Sequence, residues 1–155
     1  PINVIKNQGL KGVKLLIVGD GQLRAEVEQA VEGSNDVVFL GYKSNVQDYL
    51  ALSDAYISAS FSEGLPNAVL EAMSHNLIPI LSNIPQHKEV NSDKKYDQLY
   101  FSPSKEQELL ESIEYAKGLF EKKNYNFRSN VLEGFTDKIM SQKYQDLYLK
   151  LYGKI

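Results

Sequence analysis

The chain has 155 residues and a formal net charge of −3, with 43% hydrophobic and 24% charged residues. That is the profile of one globular domain able to bury a core, not of a disordered chain. The acidic balance lacks the basic footprint of sequence-independent nucleic-acid binding, the absence of Cys excludes disulfides and thiolate metal sites, and no apolar run reaches the ~20 residues of a membrane span.

Residues 13–18 form a short apolar run ending at Gly19, which predicts a buried strand. A Gly-Asp-Gly turn leads into an amphipathic helix over 22–31. Residues 37–40 predict a second strand closed by Gly41, and 44–52 a helix with Ser44 as its candidate N-cap. A third strand at 55–59 runs directly into Ser60-Phe61-Ser62-Glu63-Gly64-Leu65-Pro66-Asn67.

Gly64 and Pro66 oppose a helix interior, whereas Pro66 suits a first helical position, so the spacing predicts a helix over 66–75. Its start would expose the N–H groups of residues 64–68 at a positive helix end, an anion site suited to phosphate. Residues 65, 68, 69, 72 and 73 fall on one apolar arc, leaving Glu71 on the outer side with Asn67 and Ser74. A loop carboxylate, Glu63, and a helical one, Glu71, thus share one neighbourhood with a group of backbone donors.

A fourth strand follows at 77–81, then a helical turn at 85–90, a polar stretch, and a weaker strand at 98–101. Long helices at 104–122 and 136–152 flank an Asn-rich separator at 124–130. The last helix carries an apolar-aromatic stripe of Ile139, Met140, Tyr144, Leu147, Tyr148, Leu151 and Tyr152, suited to core or domain-contact packing. Strands alternating with helices predict an α/β, Rossmann-like open parallel sheet of about five strands with flanking helices. Ligands of such sheets bind beyond the strands' carboxyl ends, where Gly19 to Gly21, Gly41-Tyr42, the Glu63 turn and residues 82–86 all fall.

Simpler readings compete at each point. Gly19-Asp20-Gly21-Gln22-Leu23-Arg24 has Arg where a dinucleotide fingerprint wants a third small residue, and no Gly-Lys-Ser/Thr forms a P-loop. Two carboxylates also suit glycoside hydrolysis, and Glu71 alone suits a solvated helix face. His75 fits a helix carboxyl end, His87 a loop at the ligand edge, and two separated histidines make no metal set.

Six motifs in register decide among these. Gly19-x-Gly21-x-x-Arg24, Val38-Phe39-Leu40-Gly41, Asp48-Tyr49-Leu50 with Ser53-Asp54-Ala55, Ser60-x-x-Glu63-Gly64-Leu65-Pro66-Asn67, Leu70-Glu71-Ala72-Met73 and Ile84-Pro85-x-x-x-Glu89-Val90 follow one another in that order. Over residues 13–101 the chain resembles the carboxyl-terminal, nucleotide-sugar-binding domain of the GT4-type retaining glycosyltransferases, which have the GT-B fold. The resemblance implies Glu63 as the catalytic carboxylate beside the transferred sugar and Glu71 as the ligand of the donor's ribose hydroxyls. Gly64, Leu65, Pro66 and Asn67 would hold the sugar and diphosphate, Gly41 and Tyr42 would border the base, and Gly19 and Gly21 would shape the same wall. It implies a UDP- or GDP-sugar donor, no cofactor, no metal, a saccharide or lipid-linked acceptor, and a cytoplasmic place in cell-envelope or exopolysaccharide synthesis.

Departures accompany the match. Asn76 stands where the family commonly has Gly, Gln86 where Gly often faces the donor, and residues 91–97 lack the usual glycines. With only Arg24 and Arg128 in the chain, the family's Arg–Lys diphosphate pair is expected on a strand and helix that precede residue 1. The expectation is therefore one donor-binding domain over 1–155, with core motifs at 13–101 and a helical part at 104–152. Its amino-terminal acceptor domain and first strand lie outside the chain, and the domain alone is inactive. A non-catalytic nucleotide-binding or assembly module and a sugar-nucleotide epimerase or phosphorylase are the competing classes.

Overall fold

The computed structural model describes residues 1–152. In chain order the elements are α1 (Ile2–Asn7), β1 (Leu15–Val18), α2 (Arg24–Val31), β2 (Val37–Gly41), α3 (Val46–Leu52), β3 (Ala55–Ser58) and α4 (Asn67–Ser74). There follow β4 (Ile78–Ser82), α5 (Pro85–Val90), a 3-10 turn (Lys94–Leu99), β5 (Tyr100–Phe101), α6 (Glu106–Lys122), α7 (Phe127–Gly134) and α8 (Asp137–Tyr152). Every strand pair is parallel, as helical crossovers require. No described helix is long and apolar enough to cross a membrane.

All five residues of β4 are buried, because both of its edges are paired and helices cover its faces. It takes β3 on one side in the register Ala55↔Ile78 to Ser58↔Leu81 and β5 on the other at Leu81↔Tyr100 and Ser82↔Phe101. Around it Val69, Met73, Ile78, Leu81, Leu99, Phe101, Leu109, Ile113 and Phe127 close one core. Burial of each large apolar side chain there is worth about 1.5–3 kcal/mol.

The predicted single sheet is present as two hydrogen-bonded ladders, β1-β2 and β3-β4-β5. Leu15, Ile17 and Ile57 still pack against the common core, so the two ladders share an interior without sharing hydrogen bonds. Among the described residues β1 and β3 each pair on one edge only, and Leu16 of β1 is 42% exposed, unlike a strand inside a completed parallel sheet.

Several local expectations shift. Pro66 is the N-cap of α4 rather than its first residue, with ψ near 71°, outside the helical region. The buried arc of α4 is Val69, Leu70, Ala72 and Met73, whereas Leu65 and Ala68 face outward. Asn45, not Ser44, precedes α3. The Asn-rich separator contains α7, whose cap comes from Asn126, the side chain accepting from Ser129 N at 3.2 Å. No residue of α8 is buried, so its stripe is not core within this chain.

Asn76 explains its own departure from Gly. It ends α4 with φ 61°, a left-handed conformation that Asn tolerates. Its Oδ1 accepts from Phe127 N at 2.9 Å and Arg128 N at 3.3 Å, satisfying the first donors of α7. Gly would keep the turn and lose this clamp. In urea denaturation, Asn76→Gly is expected to cost about 1 kcal/mol, the usual worth of a cap, and Asn76→Ala about 2 kcal/mol by adding left-handed strain.

Candidate active site

The two glycine turns are held together by backbone. Gly19 N donates to Gly41 O at 2.9 Å, and both residues have positive φ, 135° and 66°, which only Gly adopts without strain. A Cβ on Gly41 would meet Arg24 at an ordinary 3.8 Å, so φ and not crowding demands glycine there. Arg24 Nη1 donates to Asp20 Oδ2 at 2.7 Å and Nε to Glu28 Oε1 at 2.9 Å, while its guanidinium lies over the Phe39 ring. Two carboxylates already engage this arginine, so it acts here as a clip between turn and helix. Gly21 N donates to Asp20 Oδ1, and Tyr42 is largely exposed beyond β2.

The second group stands at the end of β3. Asn67 N donates to Leu65 O at 2.8 Å, closing a tight turn over the buried Pro66 ring. That bond removes Asn67 N–H from the predicted donor set. Among the described residues the N–H groups of Gly64, Leu65 and Ala68 have no protein acceptor, and they stand at the amino end of α4. Glu63 is half-buried in the loop and Glu71 exposed on the outer side of α4, as the helical arc requires.

One side chain that the motifs did not single out reports on both glutamates. The half-buried Tyr56 phenol of β3 has its pKa pushed above the ordinary value, first by burial and then by the charges of Glu63 and Glu71. Both carboxylates are thus near enough for their charge to act on the Tyr56 phenol. His75 Nε2 sits 2.6 Å from Gln47 Oε1, joining α4 to α3, a structural use at a helix end. His87 is not at a solvent-facing edge: it is fully buried within α5. Gln86 is half-buried on the same helix.

The expected site residues thus form two clusters, Gly19, Gly21, Gly41 and Tyr42 beyond β1-β2, and Glu63 to Asn67 with Glu71 beyond β3. A cavity of about 290 Å³ lies elsewhere, between the amino ends of α1 and α6, lined by Pro1, Ile2, Pro103, Lys105 and Glu106. Among the described residues no three acidic or histidine side chains converge as metal ligands would.

The family described as "Glycosyl transferases group 1" matches residues 2–116, three-quarters of the chain and all of both clusters. The chain belongs to this family of glycosyltransferases. The capsular polysaccharide biosynthesis glycosyltransferase CapH of Staphylococcus aureus is 28% identical over 158 aligned positions, covering 96% of this chain and 42% of that protein. An Escherichia coli protein named UDP-Gal:alpha-D-GlcNAc-diphosphoundecaprenol alpha-1,3-galactosyltransferase is 32% identical over 85, covering 52% of this chain and 22% of its own length. A solved glycosyltransferase from Rickettsia africae ESF-5 superposes with a TM-score of 0.79 at 21% identity, over 96% of this chain and 43% of that one. The chain accordingly spans less than half the length of these relatives. The open parallel α/β architecture is that of the GT-B glycosyltransferases, and the resemblance to their GT4-type carboxyl-terminal domain holds.

For this glycosyltransferase chain the placement of the two carboxylates has a direct check. A tyrosine whose folded pKa is raised confers stability that is fully present below its unfolded value of about 10 and is lost as pH rises through the folded value. Ring-labelled NMR is expected to show Tyr56 titrating above that value. Glu63→Gln and Glu71→Gln should each move it back down, and together further. A titration indifferent to both would place the carboxylates away from Tyr56.

Proposed function

We propose that this chain is the donor-binding domain of a retaining glycosyltransferase, which moves a sugar from a UDP- or GDP-sugar to an acceptor hydroxyl. The observation that carries the reading is the β3–α4 unit, where Glu63, Glu71 and the unpaired N–H groups of Gly64, Leu65 and Ala68 meet at the carboxyl edge. Free N–H groups at a helix start favour diphosphate oxygens, and they are worth most where charge develops on the departing diphosphate. Glu63 stands by the sugar and Glu71 by the ribose hydroxyls, while Gly19, Gly21, Gly41 and Tyr42 line the base side. The acceptor hydroxyl attacks the sugar face that the diphosphate leaves, so orientation and leaving-group stabilisation are the protein's contribution. On this reading the diphosphate charge is met by backbone donors and basic side chains, with no metal required.

The donor class is supported by the relative named for UDP-Gal, and a role in polysaccharide assembly by the one named for capsular polysaccharide biosynthesis; a cytoplasmic place for it belongs to the same reading. The acceptor, a saccharide or a lipid-linked one, would sit against an amino-terminal domain outside residues 1–155. The unpaired edges of β1 and β3 support that division, because each is free to take a further strand.

Calorimetric titration with UDP, GDP and ADP tests the reading. One diphosphate is expected to bind selectively, and Glu71→Ala to weaken it by about tenfold or more, the loss of a hydrogen bond to a charged acceptor. In the longer enzyme Glu63→Gln should lower transfer by about 10²–10³, as removal of one transition-state contact does, with nucleotide affinity nearly unchanged. Transfer by residues 1–155 alone would defeat the proposed division of labour. Absence of nucleotide binding, with self-association through the exposed stripe of α8, would instead favour a non-catalytic assembly module.

A further inference from the structure

The Glu63 loop is tethered from outside by a side chain that the motif pattern did not point to. Ser82, at the end of β4 and fully buried, donates its hydroxyl proton to Ser60 O at 2.5 Å. Ser60 stands three residues before Glu63. Among the described residues no other bond from a different element reaches residues 60–65, whose remaining bonds are the local Ser58–Ser60 hydroxyl contact and the Asn67–Leu65 turn. The position of Glu63 therefore hangs on how the Ser82 hydroxyl points.

That direction is set by His87. Its ring is fully buried, with Nδ1 2.9 Å from Ser82 O and 3.1 Å from Ser82 Oγ. A carbonyl oxygen only accepts, so the contact with Ser82 O requires the proton on Nδ1. Nδ1–H then also faces Ser82 Oγ as a donor, and Ser82 Oγ–H is left to point at Ser60 O. In the opposite tautomer the Nδ1 lone pair would face the Ser82 carbonyl and compete with Ser60 for the hydroxyl proton. The other nitrogen, Nε2, is buried with no protein partner, so nothing there favours the opposite tautomer. The backbone that carries the ring is held from β5, where the Tyr100 hydroxyl donates to Asn91 O at 2.6 Å and lies 3.2 Å from His87 O.

We propose that His87 is a positioning residue for the glutamate loop, acting through the relay His87 Nδ1–H to Ser82 Oγ–H to Ser60 C=O. This rests on the reading of Glu63 as the carboxylate beside the donor sugar, but the relay itself can be tested without any ligand. The measurement is backbone nitrogen-15 NMR relaxation of the 155-residue chain, comparing order parameters of residues 59–65 with those of β4. Ser82→Ala should lower the loop order parameters toward the flexible range below about 0.6 and leave β4 at the parent values. His87→Leu should do the same. His87→Asn, whose amide N–H can stand where Nδ1–H stands, should restore the parent values. The double variant His87→Leu with Ser82→Ala should be no more mobile than either single one, since both cut the same relay.

Unchanged loop order in Ser82→Ala overturns the relay, as does mobility raised evenly over the whole chain, which is the mark of general destabilisation. Loop mobility additive between the two sites would equally overturn it. If the buried His87→Leu substitution prevents folding, Ser82→Ala and His87→Asn still decide. Nucleoside diphosphate binding and its loss in Glu71→Ala are read separately, so failure of the donor-site assignment and failure of the relay give different results.

Discussion

Strand β4 is the constraint from which the rest of this structure follows. A parallel strand with helices on both faces has no side to give to water, so Ile78 to Ser82 must be buried throughout. Pairing with β3 and β5 brings three strand ends level at one edge, with Asn83 N still donating to Phe101 O just past the ladder. Ser58, Ser82 and Phe101 thereby become neighbours, and the loops that leave them are forced to share the same patch of surface. The burial that places Ser82 under the Glu63 loop is the same burial that stabilises the domain.

On the proposed reading the chemistry at that edge comes mostly from main chain. Of the two arginines, Arg24 is already engaged by Asp20 and Glu28 and has no free guanidinium to offer a diphosphate. The Gly-Leu-Pro turn supplies N–H groups instead, because Pro66 stops the helix from reaching back to claim them. Backbone donors need no side-chain ordering and are held by the helix they begin. The acidic residues beside them can then contact hydroxyls without contesting a strong cation.

Much of the fold was legible because its signals are local. Short apolar runs gave β1 to β4 nearly to the residue, with glycine closing β1 and β2, and Gly41 marked a turn whose φ of 66° favours it. The outward side of α4 followed from helical spacing, and with it the exposure of Glu71. What misled was distant. The Asn-rich stretch hides α7 since its first donors are satisfied by Asn76, some fifty positions earlier, as well as by its own cap. The periodic stripe of α8 is a true helix signal, but periodicity carries no information on whether a partner surface exists within the chain. Likewise, alternation of strands and helices predicts parallel pairing without saying that β1 and β3 would fail to pair.

The sequence by itself determined the α/β order, the two glycine turns and the glutamate-bearing loop and helix. Each of these depends on the conformational limits of Gly and Pro and on periods of two and 3.6 residues. Only the tertiary structure decided that one tyrosine would feel the charge of both glutamates, that the sheet would stand in two ladders, and that His87 would be buried against Ser82. The physical reason is range. Burial and hydrogen-bond partnership join residues on different elements, as Ser82 with Ser60 and Asn76 with Phe127, and no local pattern fixes which of those groups will meet.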